Sequence, residues 1–365
     1  MSIFANEMKL PSQGKNRKAE MREFADGLKE ISQQIGFKVS ARGWCYILEQ
    51  NGLITKAEFN VVENLINNGC RRNGTLPIDF VAEEEARKFS GVETPEERSP
   101  IAYVGDWLDG ALNAERYYTP NWWKGEECYI QMVVEKIDLK TLFEPICREY
   151  HIPIATSKGW SSMRQRAEYA RRFKEAEETG LAGILLYCGD HDPDGGRISD
   201  FLMKNLEDLM NSKWADGTSG YDPKNLKIDP FGLKYDFIAR NKLTWIDNLI
   251  TASGGFIAEV IDGKIVQGKT KNGKPHPNFH LPYAQDYLRK YGVRKCEANA
   301  LVIKPDQGRA LCRQTIEAHL GKDAKDRFRE RREEVVRIVS EFRERTGLNK
   351  AIQKVIDLIE KEEER

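Results

Sequence analysis

The stretch Leu185-Leu186-Tyr187-Cys188-Gly189-Asp190-His191-Asp192-Pro193-Asp194-Gly195-Gly196 decides how the rest of the chain is read. Ala182 to Tyr187 is a continuous apolar run, the pattern of a strand buried on both faces of a parallel sheet. It stops at two carboxylates spaced two apart, Asp190 and Asp192, with Asp194 two further on. Pro193 and two glycines enforce a turn. Ile198, Phe201, Leu202, Leu206, Leu209 and Met210 then fall on one face of a helix. Open parallel sheets bind ligands beyond the carboxyl ends of their strands, and acids placed there suit a hard cation such as Mg2+. A turn that only caps a helix needs one such acid, not three.

The same pattern repeats upstream. Cys128 to Val134 predicts a strand ending in Glu135-Lys136, followed by a helix with Leu139, Leu142, Phe143, Ile146 and Cys147 inward. Ile152 to Ala155 reads as a short second strand. Gly159 turns into a helix from Ser161 to about Glu178. The order is β-α-β-α-β-α, with carboxylates after the first and third strands. Right-handed crossovers put both on one sheet edge, so Glu135 is expected to face Asp190 and Asp192 across one metal site, with Asp194 nearby. Arg164, Arg171 and Lys174 share a face of the helix after Lys158-Gly159. With Arg71 and Arg72 they are candidates for a basic DNA-binding groove.

Further upstream, residues 1–36 predict a loose arm and a helix carrying Met21, Phe24, Leu28 and Ile31. Lys15, Arg17, Lys18 and Arg22 cluster at its start, as a solvated face or as phosphate contacts. In 37–92, Ser40 caps a helix through Arg42, Trp44, Tyr46 and Leu48 that stops at Asn51-Gly52. Thr55-Lys56-Ala57-Glu58 is a capping box opening a second helix. Asn73-Gly74 then starts an extended piece, Thr75 to Val81. Helix, turn, helix and wing is the order of a winged helix, which serves DNA binding or protein interaction. Residues 93–126 predict a linker with one short helix and the aromatics Tyr117, Tyr118, Trp122 and Trp123. Residues 127–322 form the second domain. An insertion near 256–283 contains a hairpin turning at Asp262-Gly263. Its His276 and His280 do not by themselves make a metal site. A charged helical tail, 323–365, breaks near Gly347.

Composition sets the limits. A chain of 365 residues holds more than one domain. It carries 57 basic and 57 acidic side chains, so any nucleic-acid site must be a local patch. The 7 cysteines include no CxxC pair, which points to reduced thiols and a cytoplasmic setting (nucleoid-associated in a prokaryote). No run is apolar enough to span a bilayer, and no signal peptide is expected.

Glu135 ending one strand and Asp190-His191-Asp192-Pro193-Asp194-Gly195 ending a later one resemble a Toprim domain. More narrowly, the second motif is similar to the DxDPxG of topoisomerase VI A subunits and the related meiotic double-strand-break proteins. Val134-Glu135-Lys136, Tyr150-His151-Ile152-Pro153 and Ser157-Lys158-Gly159-Trp160 fit the same group. Arg42-Gly43-Trp44-Cys45-Tyr46 matches its spacing of arginine to catalytic tyrosine. The resemblance spans roughly residues 38–240. It implies an α/β plus α+β fold: an amino-terminal winged helix, a Rossmann-like Toprim domain with a mainly parallel sheet, and a helical carboxyl-terminal extension.

The resemblance further implies Mg2+-dependent cleavage of double-stranded DNA through a Tyr46 phosphotyrosine, as in a type IIB topoisomerase A subunit. Arg42 would assist, and Glu135 would act as metal ligand or as general acid. It also implies a homodimer in which Tyr46 acts in trans. No ATPase signature is present, so strand passage would need a separate B-type ATPase subunit. Two other readings stay open: a Toprim nuclease that hydrolyses DNA without a covalent link, and a non-catalytic DNA-binding relative.

Overall fold

The computed structural model describes residues 8–12, 14–82, 91, 95, 97, 99–157, 163–218, 220–250 and 255–363. The chain is a mixed α/β protein with two compact units. One comprises Met1–Glu83 with Glu127–His319, the other Glu84–Glu126 with Leu320–Arg365. In chain order the helices are α1 (Arg17–Ile35), α2 (Ala41–Gln50), α3 (Phe59–Asn64), α4 (Pro100–Leu112), α5 (Ile137–Glu149), α6 (Met163–Glu178) and α7 (Ile198–Glu207). They continue as α8 (Tyr235–Arg240), α9 (Pro282–Tyr291), α10 (Ala300–Ile303), α11 (Pro305–Glu317), α12 (Ala324–Thr346) and α13 (Leu348–Glu363).

The first unit is built on a four-stranded sheet of β1 (Cys128–Val134), β2 (Ile154–Thr156), β3 (Ala182–Cys188) and β4 (Lys227–Pro230). The strand order is β2-β1-β3-β4 and every pairing is parallel. β1 and β3 are almost wholly buried, which is why their apolar residues run without alternation. Tyr169, Phe173, Leu202 and Leu206 of α6 and α7 pack on the sheet with Val133, Leu185 and Tyr187. Phe143 of α5 and Phe173 of α6 are fully buried. Each such ring contributes about 1.5–3 kcal/mol by leaving water. Gly183 allows close packing here, since a Cβ would meet Leu226 at 3.0 Å and Phe173 at 3.1 Å. The second strand starts at Ile154 rather than Ile152, because Pro153 offers only its carbonyl, which accepts from Met132 N at 2.9 Å.

The register decides where the acids go. Val134 pairs with Cys188, the last residues of β1 and β3. The Glu135 N–H then donates to Cys188 O at 2.9 Å, so the chains leave both strands side by side.

The helices of residues 17–71 pack in the same unit. Ser40 caps α2, accepting from Gly43 N at 3.0 Å. The Thr55–Glu58 capping box forms as its pattern predicts. α3 runs on through a π-helical stretch, Leu65–Arg71. The expected β wing is not there: residues 75–80 form turns, and the one β pairing in this region among the described residues is a bridge from Ser40 to Ala82. Leu76 and Phe80 turn inward instead, and Phe80 stacks on Trp44 at 5.3 Å. A wing would have placed them along a strand. The hairpin of the 256–283 region does form, as β5 (Ala258–Ile261) and β6 (Lys264–Gln267), with Asp262 and Gly263 both at positive φ.

In the second unit, α4 packs against α13. A Cβ on Gly105 would lie 3.7 Å from Ile359. Trp122 packs on Phe328 of α12 at 4.6 Å, and Arg331 donates to Trp122 O at 3.0 Å. Part of the stretch 93–126 is therefore folded with the carboxyl-terminal helices rather than strung out as a linker. Gly347, left-handed at φ +66°, separates α12 from α13 at the expected break. No described helix is long and apolar enough to cross a membrane.

Candidate active site

Glu135 and Asp190 leave adjacent strands and meet at once: Asp190 N donates to Glu135 Oε2 at 2.9 Å. Asp192 turns back to accept from Gly195 N at 2.7 Å. A Cβ on Gly195 would sit 2.5 Å from Asp190 O, so the tight turn needs glycine. Asp194 lies on the rim, accepting from the Tyr283 hydroxyl at 3.1 Å. These residues line a pocket of about 650 Å³ together with Arg42, Tyr46, Lys56, Lys136 and Lys295.

The three acids share the pocket without forming a cage. Among the described residues, no three His, Cys, Asp or Glu side chains are arranged to hold a metal ion. One of the acids is already engaged by Lys136. Its ammonium lies 2.8 and 3.0 Å from the two Asp190 oxygens, and Ala298 N donates to Asp190 Oδ1 at 2.7 Å. Asp190 is thereby satisfied. Glu135 and Asp192 make no ion pair among the described residues. Burial, followed by the charge of Asp190, pushes Glu135 up to about 8 and Asp192 up to about 6. Glu135 and Asp192, desolvated and without an ion pair of their own, are the carboxylates left open to a hard cation such as Mg2+ beside an engaged Asp190.

Lys136 is itself anchored by Glu297 at 2.7 Å. Glu297, 1 % exposed, also takes Lys295 at 2.6 Å and Lys56 at 2.8 Å. Burial alone would raise this carboxyl, but the three lysines outweigh it and hold Glu297 well below the usual range. The segment around Glu297 reaches the site through a bridge between His191 and Cys296. Sequence reading missed Lys136, Lys56, Lys295 and Glu297; the contacts of Lys136 and Lys56 with Glu297 join positions far apart in the chain, and only Lys295 is its neighbour in sequence.

Tyr46, on α2, is in the same pocket as the acids of its own chain. The Lys136 ammonium stands 4.4 Å from its ring centroid, and Lys56 stands at 5.7 Å. Phe59 meets the ring edge-on at 5.0 Å. The single chain thus assembles the constellation in cis, where an extended linker would have let Tyr46 reach a neighbour. Burial raises the Tyr46 phenol above its ordinary value, and Lys136 and Arg42 oppose that shift. Arg42, one helical turn away, pairs with Glu63 at 3.1 Å and lies over the Phe59 ring at 4.7 Å. Burial works against its charge, but Glu63 and the Tyr46 hydroxyl raise it overall.

The candidate DNA contacts divide. Arg71 clips the 71–78 turn, donating to Ile78 O at 2.7 Å and to Asn67 at 2.7 Å, while Arg72 is exposed. Arg164 pairs with Glu168 at 3.2 Å and Arg171 with Glu175 at 3.0 Å. Lys174 is half-buried on the same helix. Lys158 lies outside the described residues. A separate group of cations, Lys15, Arg17, Lys18 and Arg22, lines a groove of about 640 Å³ together with Asn73–Thr75.

Compared with known protein families, with curated proteins and with solved structures, the chain finds no match.

Proposed function

We propose that this chain is a DNA-breaking subunit of the Toprim kind, similar to topoisomerase VI A subunits, with the helices of residues 17–71 in place of a complete winged helix. It would cut duplex DNA through Tyr46 with Mg2+. The observation that carries the reading is the convergence of Arg42, Tyr46, Glu135, Asp190 and Asp192 on one pocket from distant parts of the chain. In the reaction the Tyr46 oxygen bonds to phosphorus and the bond from phosphorus to the 3′ oxygen breaks. The product is a 5′ phosphotyrosine and a 3′ hydroxyl. The phenol proton passes to an ionised carboxylate of the pocket, and the leaving oxygen gains a proton.

The residues divide this work. Arg42 is an always-charged donor beside the phenol and the incoming phosphate. Lys136 over the ring favours phenolate. Glu135 would act in one of two ways: as a ligand of Mg2+, or, where it keeps its proton, as general acid to the 3′ oxygen. Mg2+ held by Glu135 and Asp192 would neutralise charge on the phosphoryl oxygens. A double-strand break takes two such sites, hence a homodimer, and strand passage takes an ATPase partner.

The test is incubation of supercoiled DNA with the purified chain, Mg2+ and candidate ATPase partners, followed by analysis of the ends. Protein-linked 5′ ends support the reading. Free ends, persisting in Tyr46→Phe, mean a hydrolytic nuclease. Binding without cleavage under every condition means a non-catalytic module.

A further inference from the structure

The acids of the pocket are unequally served. Both oxygens of Asp190 are engaged by the Lys136 ammonium, and Oδ1 also by the Ala298 N–H. The Glu135 and Asp192 carboxylates each receive one backbone N–H and no side-chain cation among the described residues. Lys136 cannot easily move away. Its side chain is 13 % exposed, and Glu297 holds it from the far side while being clamped by Lys56 and Lys295. Removing one partner of such a buried set leaves a charge unmatched, which is costly.

We infer that Lys136 is a resident counter-ion standing where a second metal ion would otherwise bind, so that the pocket takes a single divalent cation, on Glu135 and Asp192. The inference rests on the metal-dependent reading above and sharpens it. A divalent ion on Asp190 would have to displace both an ammonium and a backbone N–H. A divalent ion on the other two acids displaces no side-chain cation, since each carboxylate accepts only one backbone N–H. Lys136 also holds Tyr46 and Asp190 in register, because one ammonium touches the carboxylate and faces the ring. It is a positioning residue with a fixed charge. That charge supplies part of what a second metal would supply, at the point where a phosphate would meet the tyrosine.

The test is a titration of the full chain with Mn2+ in the absence of DNA, following free Mn2+ by electron paramagnetic resonance. The expected result is one tight equivalent in the wild type and in Lys136→Arg. Lys136→Met, which bares Asp190, should take up a second equivalent. Asp190→Asn should keep one, whereas Glu135→Gln with Asp192→Asn should keep none. Asp190→Asn also serves where Lys136→Met does not fold, because loss of its Mn2+ would overturn the inference. Two equivalents in the wild type, or one in a folded Lys136→Met, would overturn it and leave the metal-dependent reading standing. No Mn2+ in the wild type would overturn both.

Discussion

Glu135 Oε2 accepts the backbone N–H of Asp190 at 2.9 Å. That bond ties the ends of β1 and β3 together and fixes a carboxylate in a largely desolvated place. The pH behaviour of the protein follows. Glu135 is raised from 4.5 to about 8, and Asp192 from 3.8 to about 6. Between these limits the folded chain keeps protons that the unfolded chain has lost. Their stabilising contribution is complete below the unfolded values and is lost as pH rises through the folded ones. Without metal, thermal stability should fall from pH 5 to pH 8, and Glu135→Gln should flatten that fall. A tenfold change in a proton-binding constant corresponds to about 1.4 kcal/mol. Mg2+ should raise the Tm more at pH 8 than at pH 5. A Glu135→Gln profile parallel to the wild type would show that Glu135 is not the buried acid responsible.

Gly43 lies between Arg42 and Trp44 with no room for a side chain. A Cβ there would fall 2.1 Å from Asp138 Oδ2 and 2.5 Å from Val39 Cγ1. Asp138 in turn accepts from Ser40 N at 2.9 Å and from the Ser40 hydroxyl at 3.1 Å, tying the start of α2 to α5. Gly43→Ala should destabilise the chain by about 1–3 kcal/mol through overpacking, read in urea unfolding. It should also slow cleavage, because α2 carries Tyr46. An unchanged unfolding midpoint would contradict this packing.

Lys15, Arg17, Lys18 and Arg22 surround the groove beside Asn73–Thr75. Arg17→Ala/Lys18→Ala/Arg22→Ala should weaken duplex binding for all sequences alike. The slope of log affinity against log salt should become shallower by about 0.9 for each phosphate that is no longer neutralised. Arg164→Ala should do less, since Glu168 already holds that guanidinium. Equal slopes for the triple variant and the wild type would remove α1 from the DNA interface.

How much of the fold and site is legible in the chain depends on range. The strands of Cys128–Val134 and Ala182–Cys188 announce themselves as unbroken apolar runs, and the acids follow in sequence, so their meeting needs only a parallel sheet. The Thr55–Glu58 cap and the Asp262-Gly263 turn are equally local. The expectation of a wing fails because Thr75 to Val81 alternates enough to suggest a strand, while Asn73, Gly74 and Pro77 bend it into turns. Arg71 has the look of a phosphate contact in sequence, yet its guanidinium reaches Ile78 O. Two of the three lysines on Glu297 come from distant parts of the chain, so the local Lys295–Glu297 spacing does not reveal the cluster. Lys136 meets Glu297 across 161 positions and Lys56 meets it across 241.

The claim at the centre is that Tyr46 attacks DNA. Tyr46→Phe keeps the half-buried ring and its contact with Phe59, so the variant should fold with a Tm close to the wild type. The direct measurement is mass spectrometry of nuclease- and protease-digested reaction products formed with Mg2+. The expected result is a peptide containing Tyr46 that carries a 5′-linked nucleotide, absent from Tyr46→Phe and from Asp190→Asn/Asp192→Asn. Cleaved DNA with no nucleotide on Tyr46, or with one on another tyrosine, would contradict it.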